Sequence, residues 1–266
     1  MVNAGIHDRG ELAKAARLLL EAHHRDAPLL LANVWDVTSA RIIEAAGFEF
    51  IATSSHAIAD VLGETDGDSS NPRLVFDWTA RIARAVSCPV TADLEAGYGL
   101  VPADLVARIL AAGVVGCNLE DTDHHGEYTL VDPKRQATFL SEARAAADAA
   151  GVHIVINARV DTFIRHVGSE DQQLEGTIDR GRRYFAAGAD CIYPTGSLNP
   201  AQIAELVKAL PGPVNILARR GGLQIDELAA LGVRRISPAS RLHRLTTERL
   251  RHAANGLVAG RSLDVI

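Results

Sequence analysis

Ala-Ala-Gly stands immediately before an apolar run at Gly47, Gly113, Gly151 and Gly188, and Ala-Leu-Gly does so at Gly232. Glycine takes the left-handed conformation that ends a helix at its C′ position without the strain a side chain adds. An apolar run that begins directly after such a stop reads as a strand. The spacings of 66, 38, 37 and 44 residues fit one strand–helix unit each, the first covering two. The runs fall at Leu29–Asn33, Phe48–Thr53, Pro89–Ala92, Val114–Leu119, Val152–Ala158, Ala189–Tyr193, Val214–Leu217 and Val233–Ile236. None alternates apolar with polar, as expected of parallel strands covered on both faces. Eight strands alternating with helices predict an α/β chain folded as a single (β/α)8 barrel over residues 1–266. A helix precedes the barrel, and another, from about Ala239 to Leu257, follows it. A doubly wound sheet is the alternative. The first turn, Asn33-Val34-Trp35-Asp36, carries no glycine fingerprint for a dinucleotide.

Composition removes several function classes. Hydrophobic residues make up 47 % of the 266, enough for a large core. A net charge of −6 argues against a nucleic-acid partner, which needs a basic face. No apolar run approaches the roughly 20 residues of a membrane span. Met1–Asp26 lacks a secretory core and places Leu12, Ala16, Leu19 and Leu20 on one helical face. Cys88, Cys117 and Cys191 form neither a disulfide framework nor a metal-ligand spacing, so they read as core residues of a cytoplasmic protein.

In such a barrel the chemistry lies at the C-terminal ends of the strands. Those ends offer Trp35 and Asp36, then Thr53, Ser54, Ser55 and His56, then Asp93 and Glu95, then Glu120 and Asp121. Asn157, Arg159 and Asp161 follow, then Tyr193 and Thr195, with Asn215 on the seventh strand and Arg219 beyond it. Asp93, Glu95 and Glu120 are hard oxygen donors suited to Mg²⁺ or Mn²⁺. Helix caps or ion pairs with Arg159 are the alternative. Arg159 offers a fork for a substrate carboxylate, or an ion pair with Glu120 or Asp161. Ser54 and Ser55 could seat an anion on their backbone N–H groups, or form a plain polar turn. His56, His124, His125 and Tyr98 are the acid–base candidates, against surface or packing roles.

These strand ends resemble the isocitrate lyase / phosphoenolpyruvate mutase superfamily from about Leu30 to Leu242. The resemblance rests on Asn33-Val34-Trp35-Asp36 with Ser39-Ala40-Arg41, on Thr53-Ser54-Ser55 with Leu62-Gly63 and Asp66, and on Asp93-Leu94-Glu95-Ala96-Gly97-Tyr98-Gly99. Leu119-Glu120-Asp121, Asn157-Ala158-Arg159-Val160-Asp161 and Gly188-Ala189-Asp190 continue it. It implies a homo-oligomer, a dimer or a tetramer, with the C-terminal helix exchanged between subunits. It implies Mg²⁺ at Asp93, Glu95 and Glu120, with Asp66 near the metal or the substrate. A small carboxylate substrate is expected against Trp35, Ser54, Ser55, Asp66, Arg159 and Asn215.

One departure narrows the reaction. The lyases carry Lys-Lys/Arg-Cys-Gly-His on the loop after the fourth strand. This chain has Asp121-Thr122-Asp123-His124-His125-Gly126-Glu127-Tyr128 there. The lysine and asparagine of the phosphonopyruvate-processing loop are not evident, and Glu95 stands where the mutase has aspartate. The expectation is a Mg²⁺-dependent lyase or decarboxylase. It cleaves a C–C bond in a small 2-oxo or 2-hydroxy dicarboxylate through an enolpyruvate-type intermediate. Arg159, Glu120, Tyr98 and His124 are its catalytic candidates. Phosphonopyruvate chemistry and a non-catalytic carboxylate-binding barrel are the alternatives.

Overall fold

In the computed structural model, which describes residues 8–261, the strands form one parallel circuit. β1 (Leu29–Leu30) and β2 (Ala32–Val34) are two halves of one run, parted at Leu31. Next come β3 (Ile51–Thr53), β4 (Val90–Asp93), β5 (Gly116–Glu120), β6 (Val155–Val160) and β7 (Cys191–Pro194). β8 (Asn215–Leu217) and β9 (Arg235–Ser237) complete the set. β2 through β7 pair in chain order, and β1 pairs with β9, which pairs with β8. An isolated parallel bridge, Ile192 to Val214, joins β7 to β8. The circuit closes as an eight-stave barrel.

Helices cover the outside: α2 (Val37–Ala45), α3 (Ser55–Leu62), α4 (Pro72–Arg84), α5 (Pro102–Ala111), α6 (Pro133–Ala149), α7 (Glu170–Ala186), α8 (Pro200–Ala209) and α9 (Ile225–Ala230). Proline opens α4, α5, α6 and α8, where its missing N–H costs nothing. Before the barrel, α1 (Arg9–Ala22) buries Leu12, Ala15, Ala16, Leu19 and Ala22, a three-and-four spacing that makes one apolar stripe. That stripe packs toward the strand starts, with Leu19 Cδ2 only 3.0 Å from where a Cβ on Gly116 would stand. The last helix, α10 (Arg241–Val258), leaves Leu245, Leu250 and Leu257 exposed. Among the described residues no helix is long and apolar enough to cross a membrane. Cys88, Cys117 and Cys191 are free.

Strands that follow a glycine helix stop start later than the sequence runs imply, and the stops explain why. At Gly113 (φ +78°) the following Val114 N–H turns back to Ile109 O, and after Gly188 the Ala189 N–H bonds Tyr184 O. These bonds satisfy the last helical carbonyls. They use up residues that read as strand, so β5 opens at Gly116 rather than Val114, and β7 at Cys191 rather than Ala189. α3 corrects a second expectation. The stretch after Thr53 is not a plain turn but a helix, capped by the Ser54 side chain and stopped by Gly63 at φ +71°.

Registers set the barrel's interior tiers. Asp93 lies level with Asn118, Asn118 with Asn157, and Asn157 with Cys191. Two residues further along, on the same face because strands alternate, Glu120 lies level with Arg159, and Arg159 with Tyr193. The Glu120 N–H donates to Glu95 O at 2.9 Å, which brings Glu95 into this upper tier.

Candidate active site

Asp93 closes β4 and is held from two sides. Its Oδ2 accepts from the Ser55 N–H at 3.2 Å and the Ser55 hydroxyl at 2.8 Å; its Oδ1 accepts from Asn118 Nδ2 at 3.3 Å. Two residues on, the chain turns sharply. Glu95 (φ +52°) and Tyr98 (φ +55°) both take left-handed backbone conformations, as does Asp68 (φ +60°) on the facing loop. Such conformations are rare for residues with a side chain and gather at functional sites. Here hydrogen bonds hold them. Glu95 Oε2 accepts from the N–H groups of Gly67 and Asp68, and Oε1 from the Tyr98 hydroxyl at 3.2 Å. Asp68 Oδ1 accepts from the Tyr98 N–H at 2.6 Å. Burial first, and then repulsion from Asp66, Asp93, Glu120 and Asp68, pushes the Glu95 carboxyl up to about 9.

Glu120 closes β5 in full burial, with one oxygen on Arg159 Nη1 and the other on His124 Nε2. Both ion pairs weighed for Arg159 form. Its Nε and Nη2 donate to the two oxygens of Asp161 at 2.7 and 2.9 Å. Asp121 turns the other way. It accepts from the Asp161 N–H, Arg180 Nη1 and the Tyr184 hydroxyl, which ties β5, β6 and α7 together behind the site. The loop that follows folds back on itself through a Thr122–Leu130 bridge. It carries His124 over Gly67, where an added Cβ would stand 3.2 Å from His124 Nδ1. His125 Nε2 reaches Asp68 Oδ2 at 3.2 Å. A cavity of about 300 Å³ opens here, lined in part by Asp68, Glu120, Thr122, His124 and Gln136.

The structure therefore brings together Ser55, Asp93, Glu95, Tyr98, Glu120, His124 and Arg159. Asp66 stands at the edge, half exposed and paired with His56 Nδ1 at 3.2 Å. The remaining candidates have other contacts. Ser54 caps α3, and its N–H is taken by Val34 O. With the Ser55 N–H on Asp93, neither backbone donor is free for an anion. Trp35 takes the Trp78 Nε1–H on its carbonyl and stacks edge-on against His243 at 5.0 Å. Asn215 is fully buried on β8 and bonds Ser237. Asp36 is the cap of α2. Sequence reasoning missed Asp68 and Asn118. Asn118 carried a usable signal, since it lies two residues before Glu120 and so shares its face.

Among the described residues no three His, Cys, Asp or Glu side chains converge to hold a metal ion. The expected ligands Asp93, Glu95 and Glu120 instead make the protein contacts given above. Each carboxylate is turned onto a donor within the protein, because buried charge must find a partner. The donor chemistry nonetheless fits a divalent cation. The oxygens are hard, and burial followed by repulsion from the neighbouring acids raises the Glu95 carboxyl, a crowding of acidic groups that a hydrated cation would relieve.

The sequence matches the family described as phosphoenolpyruvate phosphomutase over residues 19–258. An uncharacterised protein of Mycobacterium tuberculosis strain H37Rv is 33 % identical over 246 residues, covering 91 % of this chain and 90 % of its own. The oxaloacetate decarboxylase of Rhodopseudomonas palustris strain BisA53 is 29 % identical over 207 residues, 75 % of this chain and 68 % of its own. A crystal structure from Burkholderia cenocepacia J2315, described provisionally as a phosphonomutase, superposes with a TM-score of 0.86 at 37 % identity, covering 91 % of this chain and 99 % of its own. With its strand-end residues in the order and places set out above, the chain belongs to the phosphoenolpyruvate mutase family of the isocitrate lyase superfamily.

Proposed function

We propose that this protein is a divalent-metal-dependent lyase or decarboxylase that breaks a C–C bond in a small 2-oxo or 2-hydroxy dicarboxylate. The observation that supports this reading is one tier of the barrel that joins Glu95, Glu120 and Arg159 directly above Asp93. Asp93, Glu95 and Glu120 would hold Mg²⁺ or Mn²⁺, which when bound supplies positive charge to a developing enolate. Arg159 binds the substrate carboxylate. Asp161 fixes its fork from one side, and an arriving carboxylate competes with Glu120 for Nη1. Ser55 holds Asp93 in place through two hydrogen bonds, and Asp66 faces the substrate from the edge of the site.

For oxaloacetate the bond from C3 to its carboxylate breaks and CO₂ leaves. The electron pair spreads from C3 to the C2 oxygen, and C3 takes a proton to give pyruvate. His124 is the proton donor in this reading. Its Nε2 is held by Glu120, while its buried Nδ1 has no protein partner. Tyr98, with its hydroxyl on Glu95, is the second donor. The likeness to an oxaloacetate decarboxylase supports the substrate class. The exposed leucines of α10 support a homo-oligomer, dimer or tetramer.

The test is to incubate the protein with oxaloacetate, substituted malates and 2-methylisocitrate, with Mg²⁺ and with EDTA, and to follow the released keto acid. Metal-dependent turnover of one of them is expected. Metal-independent release overturns the reading. So does turnover of phosphonopyruvate alone, read by ³¹P NMR, or ligand-induced thermal stabilisation without any turnover.

A further inference from the structure

Arg235 is almost fully buried on β9, at 1 % exposure, below the tier that holds Glu120 and Arg159. An isolated buried guanidinium is costly unless a carboxylate offsets it. Among the described residues none lies within ion-pair distance of it. Its Nη1 meets His23 Nε2 at 3.4 Å, its Nη2 donates to Asn118 Oδ1 at 3.1 Å, and its Nε has no partner. The bond to Asn118 reaches the site. Asn118 Oδ1 also accepts from Asn157 Nδ2 at 2.8 Å, so both lone pairs of that oxygen are filled. The amide can then present only its Nδ2 to Asp93, and it donates to Asp93 Oδ1. Ser55 fixes the other carboxylate oxygen with two donors. His23 in turn sets Arg235. Its Nδ1 is spent on Leu19 O at 2.7 Å, which leaves Nε2 as an acceptor.

We propose that Arg235 is a positioning residue for Asp93, acting through Asn118 and touching neither metal nor substrate. The proposal rests on the reading of Asp93 as a carboxylate that faces a divalent cation. Residues that orient a metal's ligands change its affinity by about 10- to 100-fold when removed. Mn²⁺ titration of the whole protein, read by the EPR signal of the free ion, needs no substrate and tests this directly. Arg235→Met should weaken Mn²⁺ binding about tenfold, while Arg235→Lys, which keeps a donor toward Asn118, should stay close to the parent. Asn118→Ser should weaken it about as much as Arg235→Met, and the double variant no further, because the two act in series.

Tighter Mn²⁺ binding by Arg235→Met, the result of merely removing a nearby positive charge, overturns the proposal, and so do additive effects of the two changes. If Arg235→Met does not fold, Asn118→Ser decides: an unchanged Mn²⁺ affinity overturns it. A parent protein that binds Mn²⁺ but turns over none of the dicarboxylates defeats the proposed reaction and leaves this inference standing. A parent that binds no Mn²⁺ overturns both.

Discussion

Two arginines, one tier apart in the barrel, are treated in opposite ways. Arg159, at the rim, has two carboxylates on its fork. Arg235, in the interior below, has one amide, an imidazole and one idle N–H. The rim around Arg159 carries surplus negative charge, left-handed backbone at Glu95, Tyr98 and Asp68, and a loop folded down over it. The interior around Arg235 is regular strand, closed from below by α1. The contrast teaches that the polar residues of this barrel do two jobs. At the rim they are held in arrangements that a ligand can compete for. Below it they bond mainly to one another and give the rim a fixed floor.

If that division is correct, the largest effect falls on activity and comes from the rim. Asp93→Asn should lower kcat/KM by at least about 10²-fold. Its urea midpoint should stay near that of the parent, since the amide can keep most of the hydrogen bonds. A large stability loss instead would make Asp93 part of the floor. Next is Asp121, fully buried between Arg180, Tyr184 and the Asp161 N–H. Asp121→Ala leaves Arg180 without its carboxylate and should cost about 3 kcal/mol in chemical denaturation. A cost below about 1 kcal/mol would show that Arg180 is rehydrated easily.

A smaller effect tests the floor through pH. Burial and then Arg235 lower the His23 pKa from its ordinary value of 6.5 to about 3. Between those values the unfolded chain binds a proton that the folded chain refuses. The stability that depends on neutral His23 is complete above pH 6.5 and is lost as pH falls toward 3. By this linkage the parent should lose about 2 kcal/mol at pH 5 relative to pH 7 from this group alone. His23→Gln should flatten that part of the profile, and an unchanged slope would remove His23 from the account. The smallest effect is at Gly67 (φ +108°), packed under His124. Gly67→Ala should cost about 1 kcal/mol and blunt the seating of His124. Unaltered stability and activity would mean that this loop does not need its close approach.

Much of the rim was legible in the sequence because its residues sit at the ends of apolar runs, where a carboxylate or an arginine stands out. Asp93, Glu95, Glu120 and Arg159 were found that way. The barrel was legible from its glycine stops, although the same stops delay the strands that follow them, as at β5 and β7. The floor was harder to read. Asn118 looks unremarkable inside Gly116–Glu120, and Arg235 in Val233-Arg-Arg-Ile236 resembles a surface charge. Their meaning depends on partners far along the chain, with Arg235 separated from Asn118 by 117 positions and from His23 by 212. α3 was missed because its cap, Ser54, sits in a short polar cluster that also reads as a turn. Asp68 was missed because its role comes from the Glu95 and Tyr98 turn that it faces.

The pairing of β1 with β9 has a consequence for biosynthesis. Leu29 leaves the ribosome about 200 residues before Arg235, its ladder partner. At the 5–20 residues per second usual for translation, the nascent chain waits on the order of 10–40 s with one flank of its first strand unclaimed. The β2–β7 run can form in the meantime, but closure must be among the last events. An arrested or truncated chain would therefore expose an edge that invites a chaperone or a neighbouring copy.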